Sequence, residues 1–239
     1  MKYCFALMLA LLTCSLATAQ NIIDTFPQWD GVSNIGSWGG GGGTTPTYGQ
    51  SFTADATHST LTNLTFPFSG NGQAQNYLAY VYQWSGSDTI GSALFTSSVL
   101  SYNGASGFQS LSVPTGTVAL TPGLQYVAFF STIGQTGSTA ATIGLLGAVN
   151  EPSGNFGADG YIGGNFVYNN NTGGFSGGWS DPSAYGGQAS FYSSFTLAFA
   201  AVPEPTTWAL IGVGTLGTGV YAWRKKRLAV RAGMAKLKK

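Results

Sequence analysis

The sequence predicts an all-β chain: an antiparallel β-sandwich, jelly-roll-like in outline, set between an N-terminal signal peptide and a single C-terminal transmembrane helix. Three observations predict it. Short runs rich in Val, Ile, Thr and aromatic residues recur between Gly, Ser, Asn and Pro from Tyr48 to Ala200. No window of that region shows a helical period, whereas several alternate with a period of two. Two apolar runs, Tyr3 to Leu16 and Thr206 to Trp223, bracket it.

Taken in order, residues 1–19 read as the signal peptide. Lys2 supplies the positive start, Tyr3 to Leu16 the apolar stretch, and Ala17-Thr18-Ala19 a small-x-small cleavage site, so the mature chain is expected to begin at Gln20. Both cysteines, Cys4 and Cys14, fall inside the removed segment. The exported chain is therefore expected to hold no thiol, which excludes cysteine nucleophiles, cysteine-rich zinc sites and redox switching.

Residues 20–47 form a Gly-rich lead-in, read as loop because the unbroken run Gly39 to Gly43 has no side chain to pack and a large ordering cost. Residues 48–200 are the sandwich. Its expected strands are Gln50 to Ala54, Thr60 to Phe68, Asn76 to Trp84, Ala93 to Leu100, Phe108 to Val113, Gln125 to Thr132, Ala141 to Leu146, Tyr161 to Tyr168 and Ser190 to Phe199. Leu64, Phe66 and Phe68 share one face, as do Leu78, Tyr80, Tyr82 and Trp84, and as do Phe191, Phe195, Leu197 and Phe199. Asn71-Gly72, Asn103-Gly104 and Thr121-Pro122-Gly123 supply turns between them. Gly and Asn crowd the region from Glu151 to Gln188, which reads as two long loops around one short strand.

Charge is distributed unevenly. All nine Lys and Arg lie at Lys2 or from Arg224 onward, and none between Gln20 and Ala201. That stretch carries Asp24, Asp30, Asp55, Asp88, Glu151, Asp159 and Asp181 instead. Nucleic acid is excluded as a partner, since phosphates need Lys or Arg to neutralise them.

Few residues could carry chemistry. His58, the one histidine, stands in a polar turn with no strained Gly-x-Ser-x-Gly elbow nearby, so it reads as a solvated turn residue and no catalytic residue is assigned. Glu151, Asp159 and Asp181 share the long-loop region and could pair as glycosidase carboxylates, although such residues in Gly-rich loops are mostly turn formers. Asp159 and Asp181 could also hold calcium, which accepts carboxylates, loop carbonyls and Asn side chains; no other cofactor is expected. Trp179, followed by Asp181 in a Gly-rich loop, is the candidate glycan-binding pair, the ring stacking on sugar CH groups and the carboxylate taking hydroxyls. Trp84 ends an alternating strand and reads as core.

The C-terminus is the most specific stretch. Pro203-Glu204-Pro205 leads into the run 206–223, which is followed at once by Arg224-Lys225-Lys226-Arg227. A helix over that run reaches roughly 27 Å, enough to cross a bilayer core with little tilt. Prolines are tolerated ahead of a helix, Glu204 suits its N-terminal dipole, and the four cations hold the chain end on the cytoplasmic side, with residues 228–239 as a basic cytoplasmic tail.

Triplet, apolar helix and basic cluster in that order, over residues 201–227, resemble the PEP-CTERM sorting signal of Gram-negative bacteria. The resemblance implies an exosortase, an integral-membrane cysteine peptidase, as partner, a membrane-anchored stage in transit, and delivery to the cell surface or an extracellular matrix. Tyr48 to Ala54, Leu120 to Tyr126 and Phe195 to Phe199 loosely resemble the β-sandwich ectodomains often joined to that signal. The expectation is thus a non-enzymatic surface or biofilm-matrix protein. The alternatives are a carbohydrate-binding module for extracellular polysaccharide and a glycan-active hydrolase or lyase.

Overall fold

The computed structural model describes residues 21–28, 31, 34–39, 43–70, 72, 74–135, 141–146, 163–180, 192–193 and 196–200. They belong to one compact unit, Gln20–Ala200. The signal peptide with Ala17, Ala19 and Gln20, the C-terminal signal from Pro203 to Arg227, and Glu151, Asp159 and Asp181 lie outside the described residues.

The described residues of that unit are all-β, apart from one short 3-10 turn at Phe26–Gln28. The strands are β1 (Asn21–Asp24), β2 (Asn34–Trp38), β3 (Thr47–Thr53), β4 (Thr60–Ser69), β5 (Gln75–Trp84), β6 (Thr89–Thr96), β7 (Leu100–Tyr102), β8 (Gln109–Ala119), β9 (Gln125–Ser131), β10 (Ala141–Leu146), β11 (Phe166–Asn169), β12 (Trp179–Ser180), β13 (Tyr192–Ser193) and β14 (Thr196–Phe199). One sheet runs β1-β14-β4-β10-β13, with β8 also on β4 and β2 on β10. The other runs β12-β11-β3-β9-β5-β6, with β7 also on β5. Every pairing between these strands is antiparallel.

The two sheets bury a common aromatic core. From the first come Leu61, Leu64, Phe66, Phe68, Leu197 and Phe199; from the second Tyr48, Phe52, Tyr77, Val81, Tyr126 and Phe130. Phe130 packs edge-on to Phe66 at 5.1 Å and stacks on Phe68 at 5.6 Å, and Phe52 meets Phe199 at 6.2 Å, so the inner faces interdigitate. The alternation of Leu64, Phe66 and Phe68 places all three in this core. Leu61 joins them out of phase because the pairing of β4 shifts between Leu61 and Asn63, and the bulge returns it to the inner face.

Two features differ from the sequence reading. Residues 20–47, expected as loop, contribute β1, paired to β14, and β2, paired to β10. Trp38 accounts for part of this: it is fully buried, donates its indole N–H to the Pro46 carbonyl at 3.1 Å and packs on Phe68 and Tyr77 at 4.6 and 5.5 Å. Burying that ring offsets the ordering cost of Gly39 beside it. The segment expected as one strand over Ala93 to Leu100 is two, β6 and β7, both paired to β5, and β8 runs on past Val113 to Ala119. Pro114 is accommodated in β8, which pairs within its sheet with β4.

Candidate functional site

Strands β5 and β9 are apolar on both faces. Tyr77, Ala79 and Val81 point into the sandwich with Tyr126, Ala128 and Phe130, while Tyr80, Tyr82 and Trp84 form a second cluster with Val127 and Phe129 on the outer side. Val127 and Phe129 are nevertheless fully buried. A strap over residues 170–180 covers them.

The strap is held by short local bonds. Asn169 accepts from the Asn171 amide at 2.7 Å and donates to the Gly177 carbonyl at 2.9 Å, and Gly177 and Gly178 reverse the chain at φ +76° and +78°. Asp88, in the β5–β6 turn, accepts the Gly177 amide on both oxygens at 2.9 Å, and Thr89 donates to the Phe175 carbonyl at 2.8 Å. Thus fixed, the Phe175 ring lies 4.7 Å from Tyr80 and 4.8 Å from Phe129. Trp179 meets Trp84 at 5.3 Å and Phe129 at 5.1 Å, and donates its indole N–H to Phe175 at 2.7 Å. Burial pushes the phenols of Tyr80 and Tyr82 above their ordinary range, Tyr80 also through the charge Tyr82 would carry.

Beside the strap lies an open cleft of about 260 Å³, lined by Ser51, Trp84, Gly86, Ser87, Asn165, Val167, Trp179 and Ser180. The segment 163–165 is bonded to β3: the Ser51 amide donates to the Asn165 carbonyl, the Asn165 amide to the Ser51 hydroxyl, both at 2.8 Å, and the Thr53 hydroxyl to the Gly163 carbonyl at 2.8 Å. Gly164 permits it, since a Cβ there would fall 1.8 Å from the Ser51 carbonyl oxygen. The side chains of Asn165 and Ser180 make no hydrogen bond to the described residues. The Trp84 ring behind them is only 6% exposed. The cleft is therefore an aromatic wall with a rim of amide and hydroxyl groups that no described residue engages, suited to a ligand that offers CH faces and hydroxyls.

The sequence candidates fall as follows. Trp179 lines this cleft, half-buried, and packs against the sheet as well. Trp84 is buried as expected, in the outer cluster and not between the sheets. His58 stands in the turn after β3, its Nδ1 2.9 Å from both Asp55 oxygens and its ring edge-on to Phe199 at 4.8 Å. Burial pushes the Asp55 carboxyl up, but hydrogen bonds from the Thr57 hydroxyl, the His58 ring and both their amides outweigh it and hold the group well below the usual carboxylate range. This pair locks a turn and does not line the cleft. Among the described residues no group of three or more His, Cys, Asp or Glu converges on a metal site. No described helix is long and apolar enough to cross a membrane, and the expected span 206–223 lies outside the described residues. Sequence reasoning missed Phe175, Asp88, Ser51, Asn165 and Ser180; the run Tyr126-Val127-Ala128-Phe129-Phe130, apolar at every position, was the signal that both faces of β9 are covered.

The PEP-CTERM protein-sorting motif matches residues 201–227. The chain carries a PEP-CTERM sorting signal. It is accordingly an exported protein, membrane-anchored in transit, whose signal is recognised by an exosortase-type membrane peptidase. No curated protein matches the chain. Among solved structures, the clostridial cysteine protease Cwp84 after propeptide cleavage is similar to this PEP-CTERM chain at 15% identity and a TM-score of 0.47, over 72% of this chain and 38% of that one. The cysteine protease and lectin-like domains of Cwp84, a surface-layer-associated protein of Clostridium difficile, are similar at 14% identity and 0.44, over 66% and 32%. The chain thus spans about a third of their length, and likeness at that level carries neither an activity nor a ligand across.

Proposed function

We propose that this is a non-enzymatic protein of the cell surface or extracellular matrix, whose β-sandwich is the part left outside once the PEP-CTERM signal has been read. The observation that carries it is the pairing of that signal with a sandwich that has no Lys or Arg between Gln20 and Ala201. A tag inserted in the sandwich is expected in the envelope and medium fractions, and to be retained in the inner membrane when the exosortase gene is deleted. Intact tagged protein confined to the cytoplasm overturns the proposal.

The cleft at Trp84 and Trp179 supports a second, compatible reading, a module that binds extracellular polysaccharide. A glycan array probed with the protein and its Trp179→Ala variant tests it: binding is expected to drop at least tenfold in the variant, by loss of a desolvated ring. Turnover of the same glycans, abolished by Glu151→Gln or Asp159→Asn, would instead make the protein a hydrolase or lyase.

A further inference from the structure

We infer that the cleft beside the strap selects uncharged polysaccharide and turns acidic chains away; this rests on the polysaccharide reading above. The polar groups it offers are neutral. Asn165 brings an amide and Ser180 a hydroxyl that nothing described engages. These are partners for sugar hydroxyls, while the half-buried ring of Trp179, backed by Trp84, takes the apolar face of a pyranose. A volume of about 260 Å³ lies below the usual range for drug-sized ligands and fits one or two sugar residues of a longer chain.

Recognition of a uronate, sulfate or phosphate would need a cation or a cluster of committed donors. No Lys or Arg occurs between Gln20 and Ala201, and the one histidine is engaged by Asp55 in a turn that does not line the cleft. Among the described residues a carboxylate stands next to the lining: Asp88 follows Ser87, within about a Debye length of any chain seated there. An acidic polymer would bring like charge to that carboxylate with no Lys or Arg between Gln20 and Ala201 to offset it, whereas a neutral one is indifferent to it.

The test is retardation of the protein, in detergent and after trypsin has trimmed the basic tail beyond Arg224 so that its cations cannot hold an acidic polymer, in native gels cast with a neutral glucan, a neutral galactomannan or polygalacturonate. At least one neutral polymer is expected to retard the protein, to the same extent at low and at moderate salt, with polygalacturonate leaving it unretarded. Asn165→Ala should weaken retention about three- to tenfold, the loss of one or two hydrogen bonds, at unchanged melting temperature. Retention by polygalacturonate equal to that by the neutral chains overturns the charge selection and leaves polysaccharide binding standing. Retention by none overturns both. Neutral binding that ignores both Asn165→Ala and Trp179→Phe overturns the placement in this cleft.

Discussion

Gly49 shows how closely single residues are constrained beneath the cleft. It lies in β3 opposite Phe129 of β9 and Val167 of β11, and a Cβ there would sit 2.5 Å from the Phe129 Cβ and 2.7 Å from the Ala128 carbonyl oxygen. The obstruction is largely backbone and a branch-point carbon, neither of which can swing away. Gly49→Ala is expected to cost about 1–3 kcal/mol by overpacking, read as a fall of several degrees in melting temperature; an unchanged value would show that β3 and β9 separate freely. Asp55 gives a second prediction at this scale. Its carboxyl is held well below its usual value of 3.8, so the folded state favours the ionised form more than the unfolded chain does. The sign follows: this stabilisation is present in full above about pH 4 and is lost as the pH falls towards the lower folded value. Asp55→Asn should therefore be less stable than the parent at pH 6, and the difference should shrink between pH 4 and pH 2 in acid-dependent urea melts. A difference constant with pH would show that the charge contributes nothing.

At the scale of elements, the strap over residues 170–180 turns an open sheet face into a cleft wall. Its own apolar content is Phe175 and Trp179, and its attachment to the β5–β6 turn runs through Asp88 and Thr89. Asp88→Ala removes the acceptor for the Gly177 amide, and hydrogen exchange at that amide should quicken at least tenfold while the amides of β9 keep their protection. Equal protection in parent and variant would mean the ring contacts alone hold the strap. These elements also show what was legible beforehand. The alternation in β4 revealed Leu64, Phe66 and Phe68 because one face of that strand is core; Leu61 was hidden by a bulge, which a period of two does not encode. Trp179 stood out as an aromatic ring in a Gly-rich loop. Its neighbours Ser51 and Asn165 did not, because they meet only through bonds between segments 114 positions apart in the chain, made possible by the bare backbone of Gly164. The strap itself has no periodicity to read: its shape comes from Asn169, Asn171, Gly177 and Gly178 bonding locally, and its purpose is visible only in the doubly apolar β9 that it covers.

Over the whole molecule, positive charge is confined to the two ends. Every Lys and Arg lies at Lys2 or from Arg224 onward, so the stretch from Tyr3 to Trp223 offers trypsin no site, folded or unfolded. A basic cluster is costly to move through a bilayer, while the stretch from Gln20 to Ala201, with no Lys or Arg, meets no such obstacle. If the sorting signal is removed at the cell envelope, protein recovered from the surface has lost its only C-terminal trypsin sites along with the anchor. Its intact mass, measured after full denaturation and trypsin treatment, should then equal the mass before treatment, with a mature start at Gln20. A protein that keeps its anchor behaves differently: trypsin would release Leu228 to Arg231 and the peptides beyond it, and the remaining mass would end at or near Arg224. Recovery of those tail peptides from the surface fraction would show that the anchor is kept and that the sandwich is displayed on a membrane-bound stalk and not released into a matrix.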